Sequence, residues 1–466
     1  MARALTLPRN VGEAAGWGPR GVPTPDRLWE VRVKEVWRFI RRQPASFWLI
    51  CTYLFFEYVR PQSIYPAIDV LPWAQATSLG ALVALAIEGK TLRFPTAISG
   101  LFGVFIGIVL LSSFTAWDPS LSWAMISLPL SWFFIYLLIV STINTEKRFF
   151  IFMLSFLLYS AKMSQHGART WIGNGFGFQD WGATGAPGWF HNSGEFGIQM
   201  CVFLPLSAAF VLALRHRWER WKLALLALMP ITAVMSMVAS SSRGALIGGV
   251  VLLIWMTLRT RYRVRALVFA TVTAVAVYAV IPAEQKARLD SMGEDETSVN
   301  RLDRWEDGIA IANEYPVLGI GYNNWGVYYH KYYNAGLSHN IFIEAWAELG
   351  YLGLGAFIAL IVATFRVNWR TRRIARSLRE RGRFLYFMAH GLDGALIGYM
   401  ASGFFVTVLY YPFFWINLAM TVSLSLAAKH SARSERRAQP TPGRQGYGAP
   451  IAVRPRRGPT PQLTPT

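Results

Sequence analysis

The sequence contains only two cysteines among its 466 residues, and both lie in apolar stretches. Cys51 and Cys201 have neither the number nor the spacing of a disulfide framework or a zinc site. A nucleotide-binding phosphate loop is also missing, because no Lys-Ser or Lys-Thr pair follows the glycine-rich segment at 164–193. No Asp-x-Asp motif stands in a loop to hold the metal of a nucleotide sugar. We therefore expect no metal and no cofactor.

Acidic residues are scarce, with 26 Asp and Glu against 46 Lys and Arg, for a formal net charge of +20. In a soluble protein this charge would suggest binding to nucleic acid. Here the basic residues lie in short groups between apolar runs, and the chain is 53% hydrophobic. The positive-inside rule for membrane proteins explains that placement more simply, so we expect no nucleic-acid partner.

Apolar runs that approach bilayer length dominate the chain. They cover residues 45–59, 74–88, 96–116, 122–141, 149–163, 194–214, 222–240, 244–258, 264–282, 341–365, 386–407 and 410–428. These runs predict an all-α, polytopic integral membrane protein with about twelve transmembrane helices and a long outer loop that carries short helices.

The loops between these runs agree with one orientation. Alternate short loops carry groups of Lys and Arg, with a dense arginine cluster at 259–265, whereas the outer loops hold almost none. The positive-inside rule then places both termini in the cytoplasm. We expect a basic N-terminal arm at 1–44 that is not a signal peptide, a membrane domain at 45–428, and a disordered basic tail at 429–466. The long outer loops are predicted at 164–193 and 283–340.

The one long polar interval in the chain runs from Ile281 to Tyr351. A short helix is predicted to begin at Arg301 and to stop before Pro316. Arg301 and Arg304 are three residues apart and so share one face of that helix. The residues predicted for its apolar side are Leu302, Trp305, Ile309 and Ala312. Solvated loop charges are the alternative interpretation of the two arginines.

Arg243 is predicted to lie at the outer mouth of the bundle, between two helices. The serines before it end one helix and can cap the next. A helix start presents free N–H groups and a positive dipole end, and Arg243 adds a full charge, so the position suits an anion. A snorkelling arginine at the level of the lipid headgroups is the alternative.

His339 follows a predicted N-cap, Ser338, at the outer end of a membrane helix. A neutral imidazole there could take a proton from an attacking hydroxyl, although a lone histidine is more often structural. Glu344 and Glu348 share one face of the same helix, and carboxylates inside a membrane helix usually face a cavity or a partner. They would orient His339, bind sugar hydroxyls, or pair with a buried arginine.

The outer segment at 164–193 is rich in Gly and Trp. An aromatic belt at the membrane interface and a surface that stacks on sugar rings are equally consistent with this composition. His191 and Glu195 mark a second, weaker site at the start of the next helix.

Several short motifs together are similar to those of the O-antigen ligase and polymerase superfamily of bacterial inner membranes. They are Ser242-Arg243-Gly244-Ala245, Arg301-(x)3-Trp305, Tyr315-Pro316-Val317-Leu318-Gly319-Ile320-Gly321 and His339-Asn340-(x)7-Glu348-Leu349-Gly350-(x)2-Gly353. The resemblance covers roughly 194–360. Arg60-Pro61-Gln62 and the Gly/Trp segment resemble the O-glycosylation ligase branch of that superfamily.

The resemblance implies a membrane glycosyltransferase that uses a polyprenyl-diphosphate-linked glycan at the periplasmic face of the inner membrane. The acceptor would be a lipid, a growing polysaccharide or a protein, and ligase and polymerase are not distinguished. By position, Arg243 and Arg301 would hold the diphosphate and His339 would serve the acceptor, with Arg304 competing for the role of Arg301. The other expected substrate-binding residues are Glu344, Glu348, His191, Glu195 and Arg169.

Two other functional classes fit the same composition. A transporter or flippase of lipid-linked saccharides would also use arginines and aromatics, but it predicts charges deep within helices and internal repeats. The sequence shows few such charges and no clear repeat. A structural membrane scaffold has no use for the clustered outer arginines and histidine.

Overall fold

The computed structural model describes residues 27–30, 32–177, 182–259, 263–280, 283, 286, 296–333 and 336–438. Within these ranges the chain folds into α-helices and short connections, with no β-strand. Most of the predicted N-terminal arm, the tail from residue 439 and most of 281–295 lie outside the described residues.

Sixteen helices of seven residues or more are described, and we number them in chain order. The first eight are α1 Val33–Arg41, α2 Ala45–Tyr58, α3 Trp73–Ile87, α4 Ala97–Phe114, α5 Pro119–Met125, α6 Ser127–Thr142, α7 Glu146–Gly173 and α8 Ser193–Leu214. The others are α9 Arg220–Ala239, α10 Arg243–Arg259, α11 Arg263–Val280, α12 Glu296–Glu314, α13 Trp325–Tyr332, α14 Ile341–Ser377, α15 Arg383–Gly403 and α16 Pro412–Ala438.

Each of the twelve predicted apolar runs coincides with a helix of the structure, which confirms the all-α prediction for the described residues. Six helical stretches among those residues are long and apolar enough to cross a membrane. They are Pro66–Ile87, Ala97–Phe114, Pro119–Thr142, Ser193–Leu214, Arg220–Ala239 and Ile341–Ser377. The count of twelve spans stays a prediction.

Helix α8 lies at the centre of the bundle and is the most buried of the six candidate spans. It packs against α9, α10 and α15. Small residues allow close approach: a side chain at Gly398 of α15 would meet the backbone of Cys201 on α8. This packing by small residues is typical of helices in a bilayer, where no hydrophobic effect draws helices together.

The predicted loop at 164–193 is shorter in the structure, because α7 continues to Gly173. The first residue of that segment, Ser164, is packed inside the bundle. Ser164 donates to Thr232 Oγ1 at 2.8 Å and its carbonyl accepts from Ser236, both on α9. Polar side chains that satisfy one another between helices resemble loop residues in a hydropathy pattern.

The tail also begins later than predicted. Helix α16 runs to Ala438, ten residues beyond the apolar run that ends at residue 428. Ser431 donates to Glu146 at 2.9 Å, so a polar bond to the start of α7 holds this extension. The predicted disorder at 429–438 is therefore wrong, and the rest of the tail lies outside the described residues.

Helix α14 is interrupted at Gly350, whose φ of 66° and ψ of −168° are not helical. The turn before α13 fills the break. The Ala347 carbonyl accepts from Ile320 N at 2.9 Å, and Tyr351 N donates instead to the Pro316 carbonyl at 2.8 Å. Backbone bonds lost inside α14 are thus replaced by bonds to the turn, as a break at membrane depth requires. Gly319 also has positive φ and packs on the Ala347 carbonyl.

We expect Gly350→Ala to destabilise the protein by about 1–3 kcal/mol, because a Cβ at this positive φ would lie 2.4 Å from the Val317 carbonyl oxygen. Thermal unfolding of the purified full-length chain in detergent measures the effect. Gly355→Ala is the matched control in the same helix, because nothing lies within 4 Å of a Cβ there. Equal unfolding midpoints for the two variants would contradict this account of the kink.

Candidate active site

The segment Phe404–Tyr411 joins α15 to α16, and we call it the 404–411 connection. Three carboxylates from two helices accept hydrogen bonds from this connection. Tyr411 Oη donates to Glu195 at 2.9 Å, Leu409 N donates to Glu344 at 3.3 Å, and Tyr410 Oη donates to Glu348 at 3.1 Å. The predicted residues Glu195, Glu344 and Glu348 thus meet at one place.

Glu348 is almost fully buried, and both of its carboxylate oxygens are used. In addition to Tyr410, it accepts from the backbone N–H groups of Asn323 and Trp325, each at 3.1 Å. The carboxylate therefore fastens the start of α13 to α14 and to the 404–411 connection. No arginine pairs with it among the described residues.

His339 is held by its backbone beside the same connection. Its N–H donates to Thr407 Oγ1 at 2.9 Å, and its φ of 48° lies in the left-handed region. The helix cap is Asn340 rather than the predicted Ser338, because the Asn340 side chain accepts from Phe342 N and Ile343 N. Ser338 instead faces Thr407, and its carbonyl accepts from Trp305 Nε1 at 3.2 Å. A strained backbone at His339 is thus fixed on both sides.

Helix α12 brings the two predicted arginines to His339. Burial, then the charges of Arg301 and Arg304, lower the pKa of His339 to about 4. The imidazole is consequently neutral at physiological pH. Of the two arginine charges, that of Arg301 lowers the pKa of His339 more.

Arg304 packs against the backbone at Gly336. A Cβ on Gly336 would lie 2.5 Å from the Arg304 guanidinium carbon, so the missing side chain makes room for it. Arg304 also interacts with Tyr329, whose hydroxyl donates to Asp307 at 2.7 Å. Tyr329 is a site residue that the sequence did not single out, because α13 is a short helix without membrane-like hydropathy.

The residues of the predicted apolar side of α12, which the sequence places on the membrane, differ in burial. Trp305 packs against Phe404 with ring centroids 4.9 Å apart, and Ala312 is buried. Leu302 and Ile309 are exposed, and Ile311 is buried in their place. The helix begins five residues earlier than predicted, at Glu296, and its buried face is therefore set by contacts with α14 rather than by its own apolar stripe.

The start of α10, with Arg243, faces the same connection. Ser242 Oγ accepts from Ala245 N at 3.4 Å, which confirms that a serine caps this helix. A Cβ on Gly244 would lie 2.9 Å from Phe405 Cβ, and one on Gly194 would lie 3.4 Å from Val406. Since Phe405 to Thr407 span at most about 7 Å, the helix start at Arg243 and the backbone of His339 flank one short stretch of chain.

The second predicted site, His191 and Glu195, lies at the other end of the 404–411 connection, where Tyr411 bonds to Glu195. His191 Nδ1 lies 3.4 Å from Glu195, which completes a capping box with Asn192 at the start of α8. Among the described residues, no hydrogen bond or ion pair joins Arg169 to this group, and its Nε donates to the carbonyl of Gln165, one turn back on α7.

The Gly/Trp segment reaches the connection through Trp189. Its ring centroid lies 4.9 Å from that of Tyr411 and 5.7 Å from that of Trp132, and its Nε1 donates to Glu57. Gly188 has a positive φ, and the Arg60 guanidinium occupies the space where a side chain would stand. Trp181 lies outside the described residues. An aromatic group thus borders the carboxylates. The Gly/Trp segment remains consistent both with an aromatic belt at the membrane interface and with a surface that stacks on sugar rings.

Comparison with known proteins shows a similarity that covers part of this site. Residues 228–358 match the family model described as O-antigen ligase. This range contains Arg243, Arg301, Arg304 and His339, and it ends before the 404–411 connection. The chain is also 32% identical over 114 residues to the "Exopolysaccharide production protein ExoQ" of Rhizobium meliloti (strain 1021). That alignment covers 22% of this chain and 26% of the relative, about a quarter of its length.

The motifs predicted from the sequence and the matched range coincide, and the structure brings the matched residues to one end of the bundle. Residues 228–358 are therefore similar to the O-antigen ligase family, in the range where the sequence motifs indicated it.

Proposed function

We propose that this protein is a membrane glycosyltransferase of surface polysaccharide synthesis. It transfers a glycan from a polyprenyl-diphosphate carrier to an acceptor hydroxyl on a lipid, a growing polysaccharide or a protein. The observation that carries the proposal is a neutral, partly buried His339, held by its backbone beside the 404–411 connection and under the charges of Arg301 and Arg304. The O-antigen ligase match supports it, and so does a relative named for exopolysaccharide production.

The distribution of charge supports a periplasmic site. Arg148, Arg217, Arg381 and Arg383 line one cavity at the end of the bundle away from the 404–411 connection. Under the positive-inside rule that end is cytoplasmic, and the connection is then periplasmic. Both chain ends are cytoplasmic in this orientation, and the membrane is the bacterial inner membrane.

Arg301 and the start of α10 with Arg243 hold the diphosphate. A guanidinium offers two parallel N–H donors to phosphate, and a helix start adds N–H groups and a positive dipole end. We assign the main phosphate contact to Arg301, whose place in the sequence motif is the one that the resemblance implies for this role. Arg304 lies against Gly336 and Tyr329, and it holds these residues in place beside Arg301.

In the transfer step, the acceptor oxygen forms a bond to the anomeric carbon while the bond from that carbon to the phosphate oxygen breaks. The electron pair of the broken bond leaves with the lipid diphosphate, whose growing negative charge the arginines stabilise. The proton of the acceptor hydroxyl moves to the imidazole of His339. A single displacement inverts the anomeric centre and needs no metal.

Donor binding strengthens the base. The positive charges that lower the pKa of His339 are partly neutralised when a diphosphate binds between them, so the pKa of His339 rises toward its ordinary value. A base with a pKa nearer the working pH accepts a proton more readily. The imidazole is therefore a weak base in the empty site and a stronger base beside the leaving group.

We expect His339→Ala to lower transfer from a polyprenyl-diphosphate glycan by about 10²–10⁴-fold, the usual cost of removing a general base. Purified full-length protein in detergent, with chelator present, is assayed for glycan transfer. His330→Ala is the matched control, because His330 is an exposed histidine of α13 in the same polar interval. Donor binding should be kept in both variants, which separates catalysis from folding.

Full turnover by His339→Ala would contradict the assigned role of the histidine. If the wild-type protein transfers no glycan to any acceptor class but moves lipid-linked sugar across liposomes, the transporter interpretation replaces the glycosyltransferase. Loss of activity on adding chelator, restored by a metal, would contradict the metal-independent step.

The pH dependence of transfer provides an independent prediction. The imidazole must be neutral to act as base, so kcat/KM for the donor should fall only as the pH approaches about 4, the pKa of His339 in the free protein. The acidic fall of kcat should lie at higher pH, because the bound diphosphate raises that pKa. Arg301→Gln removes one positive charge and should shift the kcat/KM fall to higher pH. A fall near about 6.5 in both proteins would contradict this coupling.

We assign Glu348 the role of positioning the start of α13 and the 404–411 connection. Substitution of Glu348 distinguishes this role from direct binding of substrate. We expect Glu348→Ala to lower the free energy of unfolding by roughly 2–5 kcal/mol, because three buried donors lose their acceptor. Thermal unfolding and the acceptor KM are measured together. Glu306→Ala, an exposed carboxylate on α12, is the matched control. Unchanged stability with a raised acceptor KM would instead support direct contact with substrate.

A further inference from the structure

A large cavity lies at the opposite end of the bundle from the candidate active site. Helix α8 begins next to Glu195 and ends at Leu214, which lines the cavity. Its 22 residues correspond to about 33 Å of helix. Helix α16 runs the same way, from Pro412 beside the 404–411 connection to His430 and Ser431 at the cavity. The cavity and the active site are therefore separate.

The cavity has a volume of about 1090 Å³, which is large enough for an organic ligand rather than a single phosphate. Its walls carry five basic side chains: Lys147, Arg148, Arg217, Arg381 and Arg383. Three carboxylates also line it, and two of them are already engaged. Glu30 pairs with Arg32 at 2.7 Å, and Glu146 accepts from Ser431 at 2.9 Å. The walls are positively charged overall.

Arg383 lies where like charges meet. The charges of Arg215 and Arg217 act on its guanidinium, against one opposing charge from Glu380. One of its terminal nitrogens donates to the Leu212 carbonyl at 3.3 Å, while its Nε is buried and has no acceptor among the described residues. Neighbouring guanidinium groups repel one another, and an anion placed between them removes that repulsion.

The other part of the cavity is apolar. Trp29, Phe39 and Phe384 line it, and the Trp29 ring packs against Phe384 with centroids 5.0 Å apart. Arg217 lies over the Trp29 ring at 5.5 Å. Basic and aromatic side chains therefore share one wall, which suits a ligand with a phosphate at one end and an apolar or aromatic group at the other.

The chain's own ends do not have the matching charge. Residues 1–26 contain three arginines and two acidic residues, and residues 439–466 contain four arginines and no acidic residue. Both segments are basic, as the cavity is. Neither segment therefore complements the charge of the cavity.

We infer that this cavity binds an organic phosphate, with Arg217, Arg381 and Arg383 holding the phosphate and Trp29 and Phe384 packing on the rest of the ligand. Two sources supply this chemistry at the basic end of the bundle. One is an anionic phospholipid of the membrane, and the other is a soluble nucleotide. This inference does not depend on the proposed transferase activity.

The test uses the purified full-length protein with two probes. ATP is titrated by calorimetry as the soluble probe. Phosphatidylglycerol, against phosphatidylcholine, is offered in nanodiscs as the lipid probe, and retained lipid is counted by native mass spectrometry. Arg217→Gln and Arg381→Gln alter exposed side chains and so spare the fold. Arg379→Gln is the matched control, because Arg379 is an exposed arginine of the same segment that does not line the cavity.

We expect one probe to bind the wild-type protein and the Arg379→Gln control alike. Each cavity substitution should weaken that binding about tenfold, the loss expected for one charge-assisted hydrogen bond. Binding of ATP identifies a soluble ligand, and selective retention of phosphatidylglycerol identifies a lipid. The inference is overturned if neither probe binds, if the cavity variants bind as the wild type does, or if binding appears only after residues 439–466 are removed.

Discussion

Three buried carboxylates depend on one connection between helices. Glu195 at the start of α8, and Glu344 and Glu348 in α14, all accept hydrogen bonds from the 404–411 connection. A carboxylate in an apolar bundle is costly unless donors surround it, by several kcal/mol for an unpaired charge. The connection therefore sets how α8 and α14 lie relative to each other. Because Thr407, in the same eight residues, holds the backbone of His339, the bonds that stabilise the bundle also position the histidine.

The polar interval is built onto that support. Glu348 accepts from Asn323 and Trp325, and the break at Gly350 leaves backbone groups of α14 that the preceding turn satisfies. Helix α12 and the turn are thus joined to α14 through backbone bonds as well as side chains. The arginines of α12 consequently stand at a defined distance from His339, as preorganised charge stabilisation requires, since a flexible loop would have to reorganise around each leaving group.

The sequence predicted the helices well and the site only in part, for physical reasons. Hydropathy locates helices because a bilayer demands apolar side chains, and it misjudged α7 and α16 where polar groups such as Ser164 and Ser431 are satisfied between helices. Arg301, Arg304 and His339 were recognisable because two arginines share one helix face in the polar interval and the histidine precedes a membrane helix. The 404–411 connection was not, because its role rests on pairings such as Tyr411 with Glu195, 216 residues apart, that leave no local pattern. Ser338 was taken as the cap because it precedes the histidine, but its hydroxyl faces Thr407, and Asn340 caps the helix instead.

The electrostatics of His339 suggest an order of events for the proposed reaction. In the empty site, burial and two arginines keep the imidazole neutral and weakly basic, so a water molecule there meets a poor base. The same arginines attract the diphosphate, and the bound anion reduces the positive potential at the imidazole. The imidazole therefore becomes a stronger base when the donor, which carries the leaving group, is bound. Without these arginines burial alone would lower the pKa of His339, and the imidazole would be a stronger base in the empty site. In the proposed reaction, this coupling makes the histidine a stronger base only while the donor is bound.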